Sequence, residues 1–321
     1  MNLTKLIACV SIFFEKYQDF QTINRSVQMA IFSIPVMSKR KDHIPVNKLP
    51  EDNCRGIMMM RESFNGSPNF EQVERSHRDG GYTFIVQEEG KTVIEIDFNT
   101  HHIQAPAVIF IHPNQVHRVI AFEEATISTW IITEENIRPE YLSVLDAFAP
   151  VDVLPVSPEK LAVLKEAVAL CIKLLENKAE IFYHSISKES INTLVVLIIS
   201  QYNALFKPVE QRTRSEDITK EFKSALEKHY KSTKNPSEYA AQLSLSSSYL
   251  NECVKATTGK SVSSHIQQRV MLEAKRLLYH SGKSVKEVAV ELGFDDYSYF
   301  TRLFNKVVGM TPIAFRAKNR E

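Results

Sequence analysis

The chain has 321 residues, 44% of them hydrophobic and 24% charged, with a net charge of +1. That length allows two domains with cores of their own, and the composition excludes collagen-like, disordered and disulfide-framework proteins. The charge is unevenly divided: 22 Lys and Arg stand against 27 Asp and Glu before Asp217, and 17 against 11 from Asp217 onward, so the C-terminal third suits a polyanionic partner.

Cys9, Cys54, Cys171 and Cys253 form no CxxC pair, so neither a zinc site nor a redox dithiol is indicated, and a reducing cytoplasm suits them. At the start, residues 6–14 form an apolar run far shorter than the roughly 20 residues a membrane span requires. Leu-Ile-Ala-Cys at 6–9 imitates a lipoprotein cleavage box, but Cys9 precedes most of the apolar run, which argues against secretion. Residues 1–36 read as a poorly defined lead-in with one short amphipathic helix over 5–17. Met37-Ser-Lys-Arg-Lys41 suits a family N-terminus better than Met1, so residues 1–36 are expected to be dispensable or to arise from an early start assignment.

From Gly56 the pattern turns to short β-type runs at 56–61, 81–87, 92–98, 107–111, 116–122 and 126–133, which suggests a small barrel or sandwich. The strongest hairpin pattern joins 82–87 to 92–98 through a turn at Glu88-Glu89-Gly90-Lys91. In its second strand Ile94, Ile96 and Phe98 form an apolar face alternating with Val93, Glu95 and Asp97. After the proline-rich passage 150–158 the period becomes helical, with Leu161, Leu164, Val168, Cys171, Ile172 and Leu175 on one face. A second helix is expected over about 185–206. Its run Leu194-Val-Val-Leu-Ile-Ile199 is apolar all round and requires burial on more than one side, which a second copy of the chain would supply. Residues 207–216 read as an exposed linker between a first domain at 37–206 and a second at 217–321.

The last hundred residues contain a weak repeat. Tyr-Ala-Ala-Gln-Leu-Ser-Leu-Ser-Ser-Ser-Tyr-Leu at 239–250 matches Val-Ala-Val-Glu-Leu-Gly-Phe-Asp-Asp-Tyr-Ser-Tyr-Phe at 288–300, at an offset of 49 that becomes 50 after one inserted residue. Gly259 then aligns with Gly309, and Ser261 with Thr311. Each copy has helix-turn-helix anatomy: Ala240 and Ala289 permit close packing, Leu243 and Leu292 fill the shared core, and Gly293 supplies a left-handed turn residue. Ser244 takes that turn position in the first copy. Ser246 and Asp295 are the expected N-caps of the second helices, and a connector at 262–280 buries Ile266, Val270, Ala274, Leu277 and Leu278.

Over about 222–316 these residues resemble the AraC/XylS family of bacterial regulators. The resemblance rests on Tyr239-Ala240, Leu243, Tyr249-Leu250, Thr258-Gly-Lys-Ser261, Glu273-Ala-Lys-Arg-Leu-Leu278, Ser284-Val285, Glu287-Val-Ala289, Leu292-Gly-Phe294, Tyr299-Phe300, Arg302, Phe304, Gly309-Met-Thr-Pro312 and Phe315-Arg316. It implies a two-lobed reader of double-stranded DNA whose recognition helices enter successive major grooves. Two departures stand out: Glu252 where the family often has Arg, and Val254 where Phe is usual. Residues expected to face DNA are Ser247, Ser248, Asn251 and Lys255 in the first copy and Tyr297, Ser298, Thr301, Arg302 and Asn305 in the second. Tyr249, Leu250, Phe300 and Phe304 are expected inside. Arg302 could donate to guanine, to phosphate, or cap a neighbouring helix.

The same resemblance implies a cupin-like N-terminal barrel, so the expected class is α+β: a barrel with dimerisation helices, then an all-α domain of two helix-turn-helix units joined by a long helix. His77, Tyr82, His112 and His117 lie where cupins present inward side chains, as an effector pocket or as rim residues satisfied by hydrogen bonds. A metal site is not expected, because the pair is His77-x-Asp79 and no glutamate follows at a convincing spacing. His101-His102 reads as an exposed loop, and no phosphate loop, nucleophile elbow or HExxH pattern appears, so no cofactor is assigned. The expected protein is a cytoplasmic, dimeric, non-enzymatic DNA-binding regulator answering to a small molecule, engaging RNA polymerase if it activates and no membrane. A cupin-type metal-dependent enzyme and a constitutive DNA-binding protein whose barrel only dimerises are the competing readings.

Overall fold

In the computed structural model the described residues are 43–49, 56–68, 75–148, 152–203 and 213–318. Contacts divide the chain into Met1–Lys39 and Arg40–Glu321, and the description concerns the second unit. The expected helix at 5–17, Cys9, Cys54 and most of the expected linker lie outside the described residues.

The strands are β1 (Val46–Asn47), β2 (Ile57–Gly66), β3 (Arg78–Asp79), β4 (Tyr82–Ile96), β5 (Asn99–Gln104), β6 (Ala107–Ile111), β7 (His117–Ile132) and β8 (Leu154–Pro155). Six of them form one sheet in the order β2-β7-β4-β6-β8, with β5 beside the far half of β4, while β1 pairs parallel with β3. Period-two alternation sorts the side chains. Phe84, Val86, Phe110 and Trp130 face covering helices, whereas Ile85, Ile94, Ile109 and Ile127 fill the interior of the rolled sheet.

Two expected breaks are absent. The supposed turn at Glu88–Lys91 lies inside the continuous β4, and the gap before Thr126 lies inside the continuous β7. Both strands bend at the same level without reversing: Gly90 has φ of 65°, Glu124 has φ of 44°, and a Cβ on Gly90 would meet the Glu124 carbonyl at 2.2 Å. Paired bulges let two long strands curl together, so turn-like residues serve as bends. The actual reversal after β4 is the two-residue turn Asp97-Phe98, both at positive φ of 48° and 72°. His101 and His102 therefore sit on β5, paired with Ile94 and Val93, and not in a loop.

Helices α1 (Pro139–Phe148), α2 (Pro158–Glu176) and α3 (Tyr183–Asn203) cover the sheet. Leu194, Val195, Ile198 and Ile199 of α3 are buried within this one chain, in the core shared with the sheet and α2. On α2 Val163 and Leu170 are left exposed, as are Ile181 and Phe182 just before α3. Helix α4 (Arg214–His229) starts earlier than expected, because Thr213 and Glu216 close a capping box. It leads into α5 (Pro236–Gln242), α6 (Ser247–Thr258), α7 (Val262–His280), α8 (Val285–Glu291), α9 (Tyr297–Val308) and α10 (Pro312–Lys318).

The barrel docks on the connector α7. Arg276, 2% exposed, donates two hydrogen bonds of 2.6 Å to Asp97 and one of 2.9 Å to Glu273, and Arg78 donates to the same Glu273 at 2.7 and 2.8 Å. Phe98, presented by the strained turn, packs against Tyr279, His280 and Phe315 with Lys275 Nζ 4.7 Å from its ring centre. Burial alone would raise the Glu273 carboxyl, but Arg78, Arg276 and Arg269 hold it down at about 2.

Breaking one member of such a buried network leaves uncompensated charge. Glu273→Gln should therefore destabilise the chain by about 3–5 kcal/mol in urea unfolding, and a change under 1 kcal/mol would remove the network from the fold's support. Because Glu273 is held below its ordinary 4.5, its contribution is complete above that pH and is lost as pH falls towards 2. The wild type should thus lose an acid-sensitive component that the variant lacks. In the turn between α8 and α9, Gly293 has φ of 73° and a Cβ there would lie 2.6 Å from the Lys231 carbonyl, while Ser244 holds the matching left-handed position at 56°. Gly293→Ala should cost more than about 1 kcal/mol and Ser244→Gly should be neutral or stabilising by up to about 1 kcal/mol. Thermal unfolding of both variants checks the pair.

Candidate nucleic-acid interface

The repeat folds into two equivalent helix-turn-helix units, α5–α6 and α8–α9. The Leu245 amide donates to Ala240 and the Ser244 amide to Ala241; 49 residues on, Phe294 donates to Ala289 and Gly293 to Val290. Ala240 and Ala289 are each 1% exposed, the close helix approach expected of small residues. Ser246 caps α6 by accepting from the Tyr249 amide. The cap of α9 is Asp296, which accepts from the Ser298 and Tyr299 amides at 2.7 and 3.1 Å, and not Asp295. The inserted residue thus lies in the second turn, which shifts the cap by one. Both second helices end in left-handed glycines, Gly259 and Gly309.

From the caps onward the offset is 50, and it aligns the outward faces. Ser248, Tyr249, Glu252, Lys255 and Ala256 correspond to Ser298, Tyr299, Arg302, Asn305 and Lys306, all of them exposed. Ser247 and Tyr297 are exposed beside them, and Leu250, Phe300 and Phe304 are fully buried as expected. Two expected contacts face elsewhere. Asn251 accepts from the Val262 amide and so helps to start α7, and its counterpart Thr301 has its hydroxyl buried. Tyr249, expected inside, is 41% exposed, and Tyr299 is 49% exposed. Tyr249, Tyr299 and Lys306 are additions to the candidate face, and counting at offset 50 from the true caps would have found them.

The two faces differ in charge. The face of α9 carries Arg302 and Lys306, whereas on α6 Glu252 offsets Lys255. Joining the two units, α7 has 19 residues and is a rod about 28 Å long, comparable with the roughly 34 Å between successive major grooves on one side of a duplex.

The four barrel candidates fall into two buried groups instead of one pocket. Tyr82 donates to Asp146 of α1 at 2.5 Å, His112 Nε2 lies 3.4 Å from the same carboxylate, and Ser224 of α4 donates to it at 3.1 Å. Burial and the adjacent Asp146 push the Tyr82 phenol well above its ordinary value. His77 and His117 form the second group with Asp79 and exchange backbone hydrogen bonds of 3.0 and 2.9 Å. Burial and the facing His117 push His77 down to about 4. No local signal in the sequence marks Asp97 or Asp146, since Asp97 meets Arg276 and Asp146 meets Tyr82 and His112 only through contacts distant in the chain. The bridge between His77 and His117 brings two imidazoles and the Asp79 carboxylate together.

Comparison with known proteins agrees with both halves. Residues 239–318 match the family described as helix-turn-helix domain, and residues 64–181 match the AraC-like ligand binding domain. The HTH-type transcriptional activator RhaR of Enterobacter sp. (strain 638) is 34% identical over 84 residues, which are 26% of this chain and 30% of that protein. The HTH-type transcriptional activator RhaS of Klebsiella pneumoniae (strain 342) is 27% identical over 129 residues, 40% of this chain and 45% of the relative. The alignments thus span less than half the length of these relatives. Among solved structures, the C-terminal domain of the two-component response regulator yesN from Fusobacterium nucleatum subsp. nucleatum ATCC 25586 is 31% identical, covers 30% of this chain and 93% of that one, and has a TM-score of 0.29. With the ligand-binding and helix-turn-helix models matching in this order along one α+β chain, the chain belongs to the AraC/XylS family of regulators.

Proposed function

We propose that the chain is a sequence-specific transcription regulator that binds double-stranded DNA through α6 and α9 as a homodimer in the cytoplasm, with its barrel receiving a small-molecule effector. The observation that carries this reading is the duplicated unit itself: two helices with equivalent turns and caps present matching polar faces. Ser247, Ser248, Tyr249 and Lys255 read one half of the site, and Tyr297, Ser298, Tyr299, Arg302, Asn305 and Lys306 the other. Asn251 and Thr301 hold the helices in position. The helix-turn-helix relatives bear names of transcription regulators, which supports a non-enzymatic role. As an activator, the protein would additionally contact RNA polymerase.

The exposed Val163 and Leu170 on α2 support dimerisation through that helix, since α3 is satisfied internally. Among the described residues no helix is long and apolar enough to cross a membrane. For the effector, the Tyr82–His112–Asp146 group is the favoured point of action, because Asp146 also holds Ser224 of the DNA-binding part. His77 and His117 act in the same barrel rim.

Arg302→Ala and Lys255→Ala, measured on operator and random DNA across a salt series with circular dichroism to confirm folding, separate base reading from phosphate contact. Loss of a base contact should cost about 1–3 kcal/mol at one operator position, and loss of a phosphate contact should weaken all sequences and lower the salt slope by about one. Unchanged affinity in both folded variants would sink the docking. Glu252→Gln removes the one acidic side chain on the α6 face and should strengthen binding to random DNA, most at low salt. Weaker binding by this variant would instead make Glu252 a base-reading residue.

A further inference from the structure

The reading of DNA makes no use of the cluster where β3 meets the start of β7. His77, Asp79 and His117 are 4%, 7% and 6% exposed, and one ligand-capable atom from each lies within 4.8 Å of the others. The backbone sets this arrangement, because His77 and His117 exchange both of their hydrogen bonds and Asp79 follows two residues later on the same side of the extended chain.

The proton inventory of the cluster is incomplete. His77 Nδ1 lies 2.7 Å from the Arg75 carbonyl, which can only accept, so Nδ1 carries the hydrogen and neutral His77 turns a lone pair outward at Nε2. That nitrogen stands 3.6 Å from Asp79 Oδ1, beyond a hydrogen bond, so two acceptors face each other in a buried site. His117 Nε2 is 3.3 Å from Asp79 Oδ2, and its Nδ1 is buried without a partner. A cation placed among these atoms would be held by the outward lone pair of His77 and the Asp79 carboxylate, which otherwise face each other with no proton between them.

We propose that His77, Asp79 and His117 form a site for one divalent transition-metal ion of the zinc or ferrous class. Two imidazoles and one carboxylate are a donor set that such ions take, with further positions open to water or a small anion. Ligands about 2.0–2.1 Å from a tetrahedral ion lie about 3.3 Å from one another, and the nitrogen-to-oxygen separations of 3.6 and 3.3 Å are close to that edge. Outer contacts are also present: the Arg75 carbonyl orients His77, and the Thr83 hydroxyl donates to Asp79. The ion would brace the rim that grips α7. Arg78, between two of the ligands, holds Glu273, and Val116, next to the third, donates its amide to Asp97, the partner of Arg276.

The test uses the full chain, stripped with a chelator and titrated with Co2+ alone, then with Zn2+. One Co2+ per chain should bind with visible d–d absorption, and one equivalent of Zn2+ should abolish that absorption. Asp79→Asn and His117→Gln should weaken Co2+ binding at least about 100-fold, while His101→Ala with His102→Ala should leave it unchanged. Absence of saturable one-to-one binding by the wild type overturns the site, whatever the variants do. So does binding that survives in Asp79→Asn and disappears in the His101/His102 variant. Because the readout is metal absorption without DNA, a failure of the DNA-binding reading leaves this result standing, and the reverse also holds.

Discussion

Arg276 sits fully enclosed at the junction between the barrel and the helix-turn-helix part, and it is acceptable there because Asp97 accepts from its Nε and Nη2 and Glu273 from its Nη1. A guanidinium deprived of water requires a paired, planar acceptor, so the turn carrying Asp97 and the helix carrying Arg276 must meet in one orientation. Glu273 is shared by Arg276 and Arg78, which ties β3 to the same helix turn. The net stability from such a network is modest after desolvation. Its geometric demand is strict, and it sets how the two parts of the chain dock.

The docking also explains a local irregularity. Phe98 at positive φ is an unusual occupant of a two-residue hairpin turn, where glycine or asparagine is ordinarily found. Its ring lies against Tyr279, His280 and Phe315, and Asp97 beside it holds Arg276. The strained turn thus presents one apolar and one charged side chain to the connector. Through these two side chains the barrel meets α7, which carries a helix-turn-helix unit at each end.

Within the DNA-binding part, duplication does not mean equivalence. Turn hydrogen bonds repeat residue for residue, and the buried faces of α6 and α9 match, yet Glu252 occupies the place of Arg302. The frames are equal and their outward charges are not. The added residue before α9 moves its cap to Asp296 and changes the entry of that helix relative to α6.

Much of this was legible in the sequence because it depends on near neighbours. The connector matches its expected bounds of 262 and 280, since one apolar stripe of period 3.6 and a Ser261 cap define it locally. The two helix-turn-helix units were legible for the same reason, as were the buried Phe300 and Phe304. Where a second strand or helix decides the outcome, the sequence was silent or misleading. Gly90 looks like a turn and is a bend, because β7 bends beside it. Tyr249 looks like core and is surface, because Leu250, Cys253 and Val254 already fill the side of α6 facing the domain. Asn251 looks like a purely outward residue, yet its side chain accepts from the Val262 amide at the start of α7, a contact available only once the two helices lie end to side. The pairing of Asp97 with Arg276 spans 179 residues, and the meeting of His77 with His117 requires β3 to lie along β7. Local periodicity and capping chemistry thus determined most of the helices and the helix-turn-helix frame. The buried ionic and histidine groups were decided by tertiary structure alone, because their energies depend on exclusion of water and on partners that only folding brings near.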